Sequence, residues 1–242
     1  MQAINLDWNA IDTVLLDMDG TLLDLHFDNY FWLTHLPLRY AAIHNVSDAE
    51  ARDYLTSCIK GQEGTLNWYC LEYWSQTLQL DIRALKDEIK HKIQVRPHVA
   101  EFLQLLKAAK KKVILITNAH PQSLSLKLEV TALDKWLDII ISSHEFKEPK
   151  EAQAFWCELV KKEKFTAQNA LFIDDTVRIL DSAKTFGIGH LLCIHQPDSQ
   201  IHRRIDDYPS IDHFDELFAG LNASVAHISR ANNDIGTGAK GG

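Results

Sequence analysis

Asp17 and Asp19 stand one residue apart at the end of the apolar run Val14-Leu15-Leu16, and Gly20 and Thr21 follow at once. A carboxylate at Asp17 can attack phosphorus and form an aspartyl-phosphate, which divides one difficult displacement into two easier ones. A second carboxylate at Asp19 can protonate the departing oxygen and then activate water. Gly20 permits a tight reversal and close approach of backbone to a phosphate. The ordinary alternative is an N-capping aspartate in a turn, and the short motif alone does not separate the two.

Further along, Thr117 and Asn118 bring a hydroxyl and an amide beside free backbone N–H groups, a pattern that cradles phosphate. Lys150, after Pro149, is placed near an expected helix start, where its charge opposes the helix dipole unless an anion is bound. Lys147 is the competing lysine. Asp174 and Asp175 are adjacent carboxylates after Ala170-Leu171-Phe172-Ile173, and their repulsion calls for a cation. Mg²⁺ takes roughly six oxygens and keeps waters plus one or two carboxylates. Asp17, Asp174 and the Asp19 main-chain carbonyl make a plausible set, with Asp175 in an outer position or capping the next helix.

The elements that must hold these residues are legible as five nearly continuous apolar runs: 13–17, 113–117, 139–142, 170–174 and 190–194. Such runs suit parallel strands covered on both faces. Helical patterns separate the later ones: 99–111, a helix opening at Pro121, 148–163, and 176–186 closed by Gly187. Alternating strands and helices imply right-handed crossovers and an α/β, doubly wound, Rossmann-like parallel sheet of five core strands. Its ligand site lies at the carboxyl ends of the strands, where every motif above falls. Residues 22–95 hold no convincing strand and are too long for a loop, so an inserted all-helical cap is expected there. Its helices are placed near 27–35, 47–59, 66–76 and 81–93, the second opened by a Ser47/Glu50 capping box. The expected division is a core of 1–21 and 96–221, a cap of 22–95, and a disordered tail of 222–242.

A net charge of -8 argues against a nucleic-acid polymer or an anionic membrane as partner, though not against a small phosphorylated substrate. The four cysteines form no CxxC pair and read as reduced thiols in a cytoplasmic chain. No apolar run is long enough to span a bilayer. None of the twelve histidines shows metal-ligand spacing; His120 reads as a loop residue near the phosphate end.

Taken in order, Asp17-Met18-Asp19-Gly20-Thr21, Thr117-Asn118, Lys150 and Asp174-Asp175 resemble the four motifs of the haloacid dehalogenase-like hydrolases. The resemblance covers Ile11 to about Ile194. It implies a Mg²⁺-dependent phosphotransferase with Asp17 as nucleophile, Asp19 as acid and base, Thr117 and Asn118 on the phosphate, Lys150 as charge neutraliser and Asp174 as metal ligand. Leu22-Leu23-Asp24-Leu25, Phe27 to Trp32, Thr65 to Leu71 and Thr117-Asn118-Ala119-His120-Pro121 resemble the bacterial GMP/IMP nucleotidase branch. That likeness implies a purine nucleoside monophosphate as substrate.

Aromatic residues of the expected cap, Trp32 and Trp68 among them, could stack a purine, and Asn29 and Asn67 could hydrogen-bond its edge. Packing within the cap is the more ordinary reading of each aromatic. Two rival functions stay open: a phosphatase or phosphomutase for sugar phosphates or other small phosphomonoesters, and a non-catalytic regulatory or binding protein on the same fold.

Overall fold

The computed structural model describes residues 4, 6–203 and 205–237, with 231–237 as backbone only. Each of the five apolar runs becomes a strand: β1 (Thr13–Leu16), β2 (Lys112–Thr117), β3 (Ile139–Ser142), β4 (Ala170–Asp174) and β5 (His190–Ile194). A sixth, β6 (Ser210–Ile211), is added at the edge; two residues are too few to carry a periodic signal. The order is β3-β2-β1-β4-β5-β6, and every pairing is parallel. The fold is therefore α/β and doubly wound.

The pleat explains why the strands read as unbroken apolar runs. Val14, Leu16, Val113, Leu115, Leu171 and Ile173 pack on one face. Leu15, Ile114, Ile116 and Phe172 pack on the other. Register then sets the site. Leu16 lies opposite Leu115 and Ile173, and the Asp17 N–H donates to the Ile173 carbonyl at 3.0 Å. Asp17 thus leaves the sheet level with Ile116 and Asp174. Strand order reverses at β1 and β4, where a doubly wound sheet opens its crevice.

Between β1 and β2 the chain builds α1 (His26–Tyr30), a π-helical turn (Phe31–His35), α2 (Leu36–His44), α3 (Asp48–Lys60), α4 (Leu66–Tyr69), α5 (Leu71–Leu78) and α6 (Ile82–Glu88). Then comes α7 (Val99–Ala108). The π-turn precedes Pro37, which has no N–H to offer the Leu33 carbonyl. The Arg52 guanidinium donates to that carbonyl instead, at 2.8 Å. The Ser47/Glu50 capping box forms, with Glu50 N–H on Ser47 Oγ and Ser47 N–H on the Glu50 carboxylate. The helix expected over 66–76 is broken at Cys70, whose backbone is extended and whose Sγ accepts the Tyr73 N–H at 3.5 Å. Chain exit and return run side by side: Asp24 N–H donates to Gln94, and Arg96 N–H donates to Leu22.

After β2 come α8 (Pro121–Thr131), α9 (Gln153–Lys162), α10 (Val177–Phe186) and α11 (Phe218–Thr237). Gly187 closes α10 with φ of +103°, a left-handed cap that favours glycine. Two expectations need correction. The helix expected from 148 begins only at Gln153, because the Lys150 N–H is held by Asn118 Oδ1 and its carbonyl by the Trp156 indole. The tail expected to be disordered from 222 is helical to 237. Leu217, Leu221 and Ser224 are buried on one stripe and Val225 packs against the core. Residues 238–242 lie outside the described residues. No helix among the described residues is long and apolar enough to cross a membrane.

Candidate active site

The carboxyl ends of β1, β2 and β4 open into a pocket of about 320 Å³, which residues of α1, α4 and α6 also line. Asp17, Asp19, Thr117, Asn118, Lys150, Asp174 and Asp175 all face it. Lys150 lies in a turn and not in a helix, so the helix dipole does not act on it as expected from the sequence. Two carboxylates hold it instead. Its Nζ is 2.5 Å from Asp17 Oδ1 and 2.7 Å from Asp174 Oδ2, and it also donates to the Ile116 carbonyl. Only 1% of Lys150 is exposed.

Burial pushes the Asp17 carboxyl up to about 7; Lys150 pulls it down and Asp174 pushes it up again. Burial likewise raises Asp174 to about 6 and Asp175 to about 7, against Lys150 in the first case and Arg203 in the second. Lys150 is held well above its usual range, because its two carboxylate neighbours outweigh its own burial. Three acids against Lys150 and Arg203 still leave the group one positive charge short. Oxygen atoms of Asp17, Asp174 and Asp175 lie within 4.8 Å of one another, an all-oxygen donor set suited to a hard divalent cation.

Gly20 is required by both space and backbone. Its φ is +86°, and a Cβ there would stand 2.7 Å from Asp175 Cγ. Thr117 Oγ1 accepts the Ala119 N–H at 3.0 Å, so its own proton remains to be donated. The Asn118 amide is engaged at both ends: Oδ1 takes the Lys150 N–H and Nδ2 donates to Glu151, each at 2.9 Å. Glu151 also accepts from the Tyr69 hydroxyl at 2.9 Å. A continuous relay thus runs from Lys150 to α4.

Around Asp19 lies a set of charges that sequence reading missed. Lys127 Nζ is 2.7 Å from Asp19 Oδ1 and 2.7 Å from Asp28 Oδ2. Lys86 Nζ is 2.6 Å from Asp28 Oδ1 and lies over the Phe31 ring at 4.8 Å. Both lysines are buried. Burial raises the Asp19 carboxyl, with Lys127 opposing, while the two lysines together hold Asp28 well below the usual carboxylate range. Lys127, with two carboxylates, is raised to about 12. Lys86 has one shared carboxylate and its burial wins, so it is lowered. A readable signal was present: Lys86 stands in the apolar stripe Ile82-Leu85-Ile89, and Lys127 three residues after Leu124. A lysine on an apolar helix face needs a buried partner. Arg203, which donates to the Asp175 carbonyl at 2.6 Å, carried no such mark.

Of the other expected contacts, Asn29, Trp32 and Trp68 line the pocket. Asn29 Nδ2 is engaged by Asp198 at 2.6 Å. Asn67 is not brought to the site: it is exposed, outside the pocket lining, and its amide donates to Gln62. Adjacent residues of one helical turn face different ways, and Trp68 takes the inward position.

Known proteins agree with this architecture. The chain is 45% identical over 219 residues to the GMP/IMP nucleotidase YrfG of Escherichia coli strain K12, a match spanning 90% of this chain and 99% of that protein. The same figures hold for YrfG of Shigella flexneri. Among solved structures, a HAD phosphatase from Thermococcus onnurineus superposes with a TM-score of 0.69 at 22% identity, covering 86% of this chain and 96% of that one; this likeness speaks for the fold alone. The haloacid dehalogenase-like hydrolase family profile matches residues 11–187. With the matched stretch running from β1 through α10, this chain belongs to the haloacid dehalogenase-like hydrolases.

Proposed function

We propose that this chain is a cytoplasmic Mg²⁺-dependent 5′-nucleotidase for purine nucleoside monophosphates of the GMP and IMP kind. In this reading residues 22–95 act as a cap over a catalytic core of 1–21 and 96–221. The observation that carries the chemistry is Lys150 clamped between Asp17 and Asp174, with Asp19 facing the same pocket. The base preference rests on the 45% identity to YrfG, a protein named for GMP and IMP.

Asp17, Asp174 and the Asp19 carbonyl would hold the cation, with Asp175 behind them. Bound there, Mg²⁺ would neutralise charge on the phosphate and on the crowded carboxylates. The Thr117 hydroxyl and Lys150 ammonium receive phosphate oxygens. Asn118 contributes its backbone, since its amide is already spent on Lys150 and Glu151. Asp17 attacks phosphorus in line and the 5′-oxygen leaves with the proton of Asp19. Asp19 then takes a proton from water, which releases phosphate from Asp17. Burial keeps Asp19 protonated to higher pH than a free carboxyl, as the first step needs. Lys127 holds the same group so that it can give up that proton.

Phosphate release with Mg²⁺ across nucleoside monophosphates and sugar phosphates tests the reading. GMP and IMP are expected to have the highest kcat/KM. A sugar phosphate at the top of the panel would reject the substrate and spare the chemistry; a folded, Mg²⁺-loaded protein that cleaves nothing would favour a regulatory role. Trp68→Ala is expected to raise KM for GMP about tenfold and to leave a small phosphoester nearly unaffected, since base–aromatic stacking is worth about 1–3 kcal/mol. Equal losses for both substrates would make Trp68 a packing residue.

Cation removal has a signed consequence for stability. Asp17, Asp174 and Asp175 are raised above 3.8 in the fold, so the metal-free folded protein retains protons that the unfolded chain has released. Their contribution is full below about pH 4 and is lost as pH rises toward 7. In chelator, Tm is expected to fall between pH 5 and pH 8. Added Mg²⁺ should restore it at pH 8 and do little at pH 5. A chelator melt that is flat across this range would contradict the charge balance described above.

A further inference from the structure

We propose that Cys70, Glu72, His120 and His144 form a second metal site, for a borderline-soft divalent cation of the zinc class, which ties the inserted helices to the loops at the strand ends. The residues come from separate parts of the chain. Cys70 is the break between α4 and α5, and Glu72 lies in the first turn of α5. His120 is the N-cap of α8, and His144 belongs to the single helical turn that follows β3. No spacing rule finds such a group in the sequence.

Donor atoms of Cys70, His120 and His144 lie within 4.8 Å of one another. A tetrahedral cation with bonds of roughly 2.0–2.3 Å holds its donors about 3.3–3.8 Å apart. The group therefore needs to contract by little more than an ångström. Glu72 stands outside that three-residue group and would enter as the fourth donor: its Oε2 hydrogen-bonds His120 Nε2 and is 3.7 Å from Cys70 Sγ. Thus one carboxylate oxygen already touches two of the other three donors. His144 Nε2 is buried and has no hydrogen-bond partner, an open lone pair or proton with nothing to satisfy it. The His120 and His144 rings meet edge to face at 4.9 Å.

The donor types choose the metal. Thiolate and imidazole favour Zn²⁺ and disfavour Mg²⁺, whereas Asp17, Asp174 and Asp175 offer oxygen alone. The two clusters would therefore sort hard from soft cations. Binding releases the Cys70 thiol proton to solvent. It also moves the His120 proton from Nε2 to Nδ1, which gives up the long 3.3 Å bond from the Gln122 N–H. Gln122 is exposed, so water can take that N–H. His120 also lines the reaction pocket, two residues beyond Asn118. A cation here would hold Cys70 and Glu72 against it and oppose any movement of α4 and α5 away from the sheet.

Cobalt(II) titration of the full chain, with Mg²⁺ saturating, reads the site directly. One Co²⁺ per chain is expected, with tetrahedral d–d bands and a thiolate-to-cobalt charge-transfer band, both abolished by Zn²⁺. Cys70→Ser should remove the charge-transfer band, and His144→Gln should weaken Co²⁺ affinity at least tenfold. Asp17→Asn should leave both bands unchanged, which separates this site from the acidic one. Circular dichroism checks the fold of each variant. Independently of any variant, Zn²⁺ should protect Cys70 from alkylation in the unmodified protein and leave the exposed Cys157 reactive. Co²⁺ binding without a thiolate band, wild-type affinity in His144→Gln, or equal alkylation of Cys70 with and without Zn²⁺ would each overturn the proposal.

Discussion

Asp17→Asn is expected to abolish phosphate release while making the metal-free protein more stable. Removing a nucleophile that forms a covalent intermediate costs on the order of 10⁴–10⁶ in kcat, the scale seen when an attacking group is deleted from an enzyme that otherwise keeps its binding site. The gain in stability has a separate cause. Burial raises Asp17 to about 7, so ionising it inside the fold is unfavourable, and Asp174 adds repulsion. Asparagine keeps the shape and an acceptor for Lys150 and removes the charge. Each unit of raised pKa corresponds to roughly 1.4 kcal/mol, so a few kcal/mol are at stake at pH 8. A rise in Tm of roughly 4–10 °C in chelator is the measurable form for a chain of this size. Lys150 would still be paired with Asp174 at 2.7 Å, which protects the variant from an unpaired buried cation. Full activity in Asp17→Asn would reject the nucleophile. Loss of activity with a lowered Tm would mean that Asp17 is chiefly a structural partner of Lys150. The two readouts therefore distinguish chemistry from packing in one variant.

Lys150→Met should give the second largest effect, and of a different kind. The methionine retains much of the stem packed near Phe172, whose ring centroid lies 5.6 Å from Nζ. What disappears is the cation that lowers both Asp17 and Asp174. Both carboxyls then climb further above 3.8, and Asp17 is more often protonated near neutral pH, whereas the proposed attack on phosphorus needs it ionised. Loss of a positioned cation from the transferring phosphoryl group adds roughly 10²–10³ in kcat. At saturating Mg²⁺, the acidic limb of the pH–rate profile is expected to move to higher pH, with partial recovery of rate in alkaline buffer. The sign for stability follows from the same shift. A folded pKa raised further above the unfolded value widens the range over which rising pH destabilises the metal-free protein. An unmoved acidic limb would show that Lys150 does not set the ionisation of Asp17.

Much of the sheet was legible because buried parallel strands leave a local mark. Runs such as Val113 to Thr117 and Ala170 to Asp174 are apolar on both faces, and both became strands. What the local pattern lacked was any record of partners distant in the chain. Asn118 reads as a phosphate ligand, yet its amide is engaged by the Lys150 N–H and by Glu151. Lys150 reads as a helix-start lysine, yet it sits in a turn that Trp156 and Asn118 hold. Asn67 and Trp68 are neighbours in sequence and part company in space, because one helical turn presents them in different directions. Lys127 and Asp28 are 99 positions apart and 2.7 Å from each other.

By itself the sequence determined the five core strands, most of the helices between them and the carboxylates at the strand ends, Asp17, Asp19, Asp174 and Asp175. Hydrophobic period and residue type are local properties, and a strand that ends in aspartate places a carboxylate at the carboxyl edge of whatever sheet it joins. Only the tertiary structure decided which charges are paired. Register brought Asp17 level with Asp174, the turn after Pro149 placed Lys150 between them, and the inserted helices delivered Asp28 and Lys86 beside Lys127. Those pairings depend on distances between segments far apart in the chain. Electrostatic energy in a buried site changes steeply over a few ångströms, so residue type alone could not assign it.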